Sequence, residues 1–176
     1  ELIADFGLDA AKMEDIAAAT GVPKATLYYY FEGKEDILAF LFAEVLDELD
    51  RAVGAALQDN GSAEERLRAV IAAYLKVYVT YPAASRALQF DLGRAARMPV
   101  IAERTEAAFV EPLRRLLEEG AADGTLRVSG HPRLLATAIL GAINSVGLNA
   151  LAIGSSRRTE HVADEVVRFV LRGAGA

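Results

Sequence analysis

Along most of the chain apolar residues recur at intervals of three and four, the spacing that gathers them on one side of a helix. Ile37, Leu38, Leu41, Val45, Leu49 and Val53 mark the buried side of a long helix from Lys34 to Leu57. Leu67, Val70, Ile71, Tyr74 and Tyr78 mark another, which stops before Pro82. Ser62, with Glu65 three residues on, predicts a capping box at its start. Shorter periodic segments come first: Glu1 to Phe6, ended by Gly7; Lys12 to Thr20, ended by Gly21; and Pro23 to Phe31. Later segments run from Ala83 to Arg94, from Met98-Pro99 to Ala122, from Pro132 to Ile153 and from Thr159 to Arg172. The pattern predicts an all-α protein of nine helices, the first beginning before Glu1.

The helix from Pro132 to Ile153 lies in a run of 23 residues without formal charge between Arg133 and Arg157, long enough to cross a bilayer. It carries Thr137, Asn144, Ser145 and Asn149 and stands alone among amphipathic neighbours, so burial in protein is expected and membrane insertion is not. No signal peptide is visible. With 176 residues, 53% of them hydrophobic, the chain suffices for one domain or for a small module joined to a larger one. The absence of cysteine excludes disulfides, thiol nucleophiles and cysteine zinc sites. Charge argues against a polyanionic partner: the total is −6, with −8 over residues 1–58 and +2 over the remainder.

Local geometry argues the other way. Gly21 to Phe31 reads GVPKATLYYYF, and four consecutive aromatics cannot all face one core. Ile16, Val22 and Leu27 can share a small core across a turn at Gly21, with Ala17 allowing close helix approach, as in a helix-turn-helix. The second helix of that motif leads with Lys24, Ala25 and Thr26, where base edges are read. The same spacing would serve a plain bundle corner. Rooted by Leu27 and by Tyr30 or Phe31, however, the helix turns Tyr28 and Tyr29 outward beside a lysine, a set suited to phosphate oxygens. Lys34 opens the next helix, where an amine and free N–H groups favour an anion.

The stretch FGLDAAKMEDIAAATGVPKATLYYYFEGKEDIL, Phe6 to Leu38, resembles the DNA-binding domain of TetR-type transcriptional regulators. The resemblance implies a nine-helix homodimer, cytoplasmic, with a helix-turn-helix domain over residues 1–45 and a ligand-binding and dimerisation domain over 46–176. It implies that Tyr28 and Lys34 hold phosphates on double-stranded operator DNA, that Thr26 and Tyr29 touch backbone or base, and that Lys24 and Ala25 lie nearest the bases. Two positions depart from the family pattern. Ala11-Lys12 stands where a threonine is usual, with Lys12 a substitute phosphate contact, and Thr20 stands where alanine is common. The function implied is a repressor released from its operator by a small hydrophobic effector. A helical ligand carrier without DNA binding is the alternative, favoured by the acidic N-terminal part.

Tyr74, Tyr78, Phe90, Phe109 and Leu113 are candidates to line an effector cavity, with Asn144 as a polar contact, although aromatics at helical spacing also serve as ordinary core. Pro112 removes a helical hydrogen bond and frees a carbonyl near Ala108. Ala138, Gly141, Ala142 and Ser145, small residues on the uncharged helix, combine with Val162, Val166, Phe169 and Val170 of the last helix as a candidate dimer interface. An enzyme is not expected, and neither a metal nor a cofactor. His131 and His161 lack metal-ligand spacing, and no nucleophile elbow, phosphate loop or dinucleotide fingerprint occurs.

Overall fold

The computed structural model describes residues 2–90, 98–152 and 159–173, and side chains at 3, 7–87, 98–149 and 161–171. Among these residues the chain is helical throughout: α1 (Leu2–Ala10), α2 (Met13–Thr20), α3 (Lys24–Tyr30), α4 (Lys34–Leu57), α5 (Ala63–Thr80) and α6 (Pro82–Phe90). Three continuous stretches then make α7: Pro99–Thr105, a π-helical turn at Glu106–Val110, and Glu111–Ala122. Two more helices follow, α8 (Pro132–Ala152) and α9 (Thr159–Gly173). Counted this way, the described residues form the nine helices that the periodicity predicts.

Local chemistry sets the boundaries. Gly7 (φ 77°) breaks α1 one turn before its end, and Gly21 (φ 70°) closes α2, both in the left-handed region that glycine enters without steric cost. The capping box forms: the Ser62 N–H donates to Glu65 Oε2 at 2.8 Å, and the Glu65 N–H donates to Ser62 Oγ at 3.3 Å. Within α7, Pro112 has no N–H for the Ala108 carbonyl. The π turn ends just before it, with the Glu111 N–H reaching back five residues to the Glu106 carbonyl. The expected kink is thus taken up as one widened turn.

Most of the buried apolar side chains form one core. Leu38, Phe42, Leu46, Leu49 and Val53 of α4 meet Leu67, Ile71, Tyr74 and Tyr78 of α5 and Phe109, Leu113 and Leu116 of α7. The stripe on α4 differs from the expected one: Phe42 and Leu46 are buried, whereas Leu41 is 45% exposed and Val45 only half-buried. Residues 38, 42, 46, 49 and 53 hold one face at intervals of four, four, three and four, and Leu41 and Val45 sit beside it. A separate small core joins Met13, Ile16, Leu27 and Ile37, with Ala17, Val22 and Phe31 against it. No helix among the described residues is long and apolar enough to cross a membrane.

Candidate DNA interface and ligand-binding interior

The small core fixes the attitude of α3. Ile16 from α2, Leu27 from α3 and Ile37 from α4 close around one point, and Thr20 locks the turn between the first two helices. Its hydroxyl donates to the Ile16 carbonyl at 2.8 Å and accepts the Val22 N–H at 3.3 Å. With Leu27 buried, the rest of α3 is left to solvent. Lys24, Ala25 and Thr26 are exposed, Tyr28 is 51% exposed and Tyr29 82%. Tyr30, whose role the spacing left open, is exposed too, its ring edge-on to Tyr29 at 5.0 Å, and Phe31 takes the inward place.

Two cations are less free than their positions imply. Lys24 donates to the Glu14 carboxylate across the α2–α3 turn, and its Nζ stands 5.6 Å from the centre of the Tyr28 ring. The hydrogen bond from Lys24, joined by the Glu14 backbone, holds the Glu14 carboxyl below its ordinary range. Lys34 is half-buried and donates to the Asp9 and Ala11 carbonyls at 3.1 and 3.2 Å, tying the end of α1 to the start of α4. An ammonium has three N–H donors, so one remains for a phosphate. Lys12 is exposed and precedes α2 without any side-chain cap bond. Glu14 is the residue that sequence reasoning missed here; its ten-residue separation from Lys24 follows from the turn, not from helical spacing.

The interior candidates converge. Asn144 Oδ1 accepts from the hydroxyls of Tyr74 at 3.2 Å and Tyr78 at 2.6 Å. The Phe109 ring lies 4.7 Å from that of Tyr74, and Leu113 is fully buried. Burial pushes the Tyr74 hydroxyl well above the ordinary phenol range, so it acts as a neutral donor. Leaving such a hydroxyl without an acceptor costs about 1–3 kcal/mol, which gives Asn144 a structural role. None of these five residues is among those that line the cavities of about 380 and 750 Å³. The rings pack against one another, and a Cβ at Gly147 would come within 2.9 Å of Tyr78 Cγ. The side chain of Phe90 lies outside the described residues.

Of the dimer candidates, Ala138, Gly141, Ser145 and Phe169 are exposed, and Ala142, Val162 and Val170 are half-buried. Val166 differs: it is buried in the main core, on a helix, α9, that packs against α5. Beside this face, a cavity of about 380 Å³ is lined by Leu67, Leu117, Ala138, Ala142, Phe169 and Val170, among others.

Two family models match the chain: "Bacterial regulatory proteins, tetR family" over residues 1–40, and "Tetracyclin repressor-like, C-terminal domain" over residues 60–174. The chain belongs to the TetR family. A relative from Bacillus subtilis, named fatty acid metabolism regulator protein, is 27% identical over 146 residues, covering 82% of this chain and 75% of the relative. The transcriptional activator FasR of Mycolicibacterium smegmatis is 27% identical over 157 residues, covering 89% of this chain and 66% of that protein. The solved structure of FadR from Bacillus subtilis in complex with stearoyl-CoA superposes with a TM-score of 0.82 at 23% identity, covering 98% of this chain and 93% of that one.

As a TetR-family regulator, the protein carries its two departures from the family pattern in different ways. Thr20 has a local task, since its hydroxyl bonds hold the turn on which α3 is mounted. Lys12 is a surface cation at the start of α2 that makes no side-chain cap hydrogen bond and whose charge reaches Glu14. Among the described residues no group of three His, Asp or Glu side chains is placed to hold a metal ion.

Proposed function

We propose that the protein is a homodimeric, cytoplasmic repressor that binds a double-stranded operator through residues 1–45 and releases it when an apolar effector enters residues 46–176. The observation that carries this reading is α3: one buried root, Leu27, under an otherwise solvent-facing helix that presents Lys24, Ala25, Thr26, Tyr28 and Tyr29 together. Lys12 and Lys34 flank that face, and phosphate contacts from tyrosine hydroxyls and amines would set its register on the duplex. For the effector, an acyl chain is supported by the fatty acid metabolism relative and by the neighbour that holds stearoyl-CoA. It would open the packed nest of Tyr74, Tyr78, Phe109, Leu113 and Asn144. The π turn that carries Phe109 is the local irregularity from which that packing would yield. Shifted packing against α4 would then respace the two α3 helices.

The test is binding of the full-length protein to a duplex from its own promoter region, followed by fluorescence anisotropy over a range of salt. Affinity should fall steeply with salt, and Tyr28→Ala with Lys34→Ala should weaken it at least about tenfold. Stearoyl-CoA at saturation should release the duplex. Binding that ignores salt and survives both substitutions would reject the DNA role and favour the carrier. Unchanged affinity with stearoyl-CoA would reject the acyl effector, because differential affinity is what drives release.

A further inference from the structure

A second cavity, of about 750 Å³, lies where the recognition head meets the body. Ile16 and Thr20 of α2 wall one side, Leu41, Phe42 and Val45 of α4 another, and Ala84 of α6 a third. It occupies the gap between the small core of the head and the main core, which do not merge. Its size is that of a small-molecule site. The walls are mostly apolar, and two of the hydroxyls among them are already engaged: Thr20 donates to the Ile16 carbonyl and Thr80 to the Lys76 carbonyl.

One charged side chain stands among the described lining residues, Glu44. Its acidic neighbours on α4 are compensated, Asp47 by Arg104 and Glu48 by Arg51. Glu44 is exposed and has neither hydrogen bond nor ion pair among the described residues. An apolar hollow with an uncompensated carboxylate at its edge suits a molecule with an apolar body and a positive head, and repels an acyl carboxylate. Tyr81, also in the lining, adds a ring that can face an ammonium.

We propose that this junction is a second ligand site, selective for cationic amphiphiles, with Glu44 as the residue that recognises the charge. The site is distinct from the interior nest and does not depend on it. Because α2 belongs to the head while α4 and α6 continue into the body, an occupant that fits one spacing of these helices favours that spacing.

The site is tested without DNA, by isothermal titration of the full chain with decyltrimethylammonium below its micelle concentration and with decanoate as the anionic counterpart. A saturable 1:1 isotherm is expected for the cation and none for decanoate. Glu44→Gln should weaken the cation about tenfold, the share of one charge-assisted contact. Leu41→Trp, which fills the hollow from a half-exposed position, should abolish binding, with circular dichroism verifying its fold. Glu44→Gln changes only a surface carboxylate, so its result stands even if the tryptophan variant misfolds. Equal affinity for decanoate, non-saturable uptake, or a cation affinity that Glu44→Gln leaves unchanged would overturn the proposal. Since no duplex is present, these outcomes are independent of the operator and acyl-effector tests.

Discussion

The recognition helix presents its lysine already occupied. Lys24 is held by Glu14, so a base or phosphate that approaches the amine must share it with a carboxylate. Both groups are open to solvent, where an ion pair is worth little on its own, but it opposes the one interaction on which a polyanion depends. The hydrogen bond from Lys24 lowers the Glu14 pKa, so the pair is complete above the ordinary carboxylate range and is lost only as pH falls through the lowered value. At neutral pH Glu14 is therefore a standing competitor for DNA. Glu14→Gln is expected to raise affinity for an unrelated duplex several-fold, by about three to ten, and to steepen the salt dependence by up to about one unit of slope. Operator affinity should rise less, because base contacts there already offset the competition. Anisotropy titrations with both duplexes across a salt series measure this, and identical curves for the two proteins would assign Glu14 no such role.

Whole elements divide into those written in neighbouring residues and those settled by distant ones. The start of α5 belongs to the first kind, since Ser62 and Glu65 satisfy each other's backbone within four residues. Removing the cap in Ser62→Ala should cost about 1 kcal/mol, a fall of roughly 2–4 °C in Tm at this chain length, readable by thermal melting. Hydrogen bonds from the Ser62 N–H and hydroxyl lower the Glu65 pKa, so this contribution exists above the ordinary carboxylate range. Only the share that the Ser62 hydroxyl gives to the carboxylate should be lost as pH falls through the lowered value, so the gap between wild type and variant should narrow while the bond from the Glu65 N–H to Ser62 Oγ keeps it open. The α2–α3 turn was legible for the same reason: Ile16, Gly21, Val22 and Leu27 stand close in sequence. The face of α4 was not. Leu38, Leu41, Phe42, Val45 and Leu46 make an apolar arc wider than the core needs, and packing against α5 and α7 selects Phe42 and Leu46. The interior aromatics meet around Asn144, and how tightly they pack depends on how near α8 comes, which Gly147 lets come close. The bonds of Lys34 to Asp9 and Ala11 cross more than twenty residues, beyond any helical spacing.

At the scale of the molecule the acidic head sets the problem. With a net −8 over residues 1–58, a single head has little electrostatic attraction for DNA, and specific binding gains most from joining two heads on one duplex. The face suited to that union is on α8 and α9: Leu134 and Phe169 are 71% and 70% exposed, with Ala138, Gly141 and Ser145 exposed between small side chains that permit close helix approach. A pair of large apolar side chains left in water beside a row of small ones is costly in a monomer, and in the proposed homodimer it would meet a two-fold copy of itself. Phe169→Glu would set a carboxylate on that face, where a symmetric partner would bring a second one against it. Because Phe169 makes little of its own subunit's core, the helical content and melting of the monomer should hold, which separates loss of assembly from loss of fold. Light scattering should show the variant at half the wild-type mass, and its operator affinity should fall about a hundredfold or more as two tethered contacts become one. Leu134→Glu, placed on the other helix of the face, should do the same. If both variants keep the wild-type mass and affinity, the proposed union of two heads through this face is rejected, and the exposed apolar pair must be assigned a different partner.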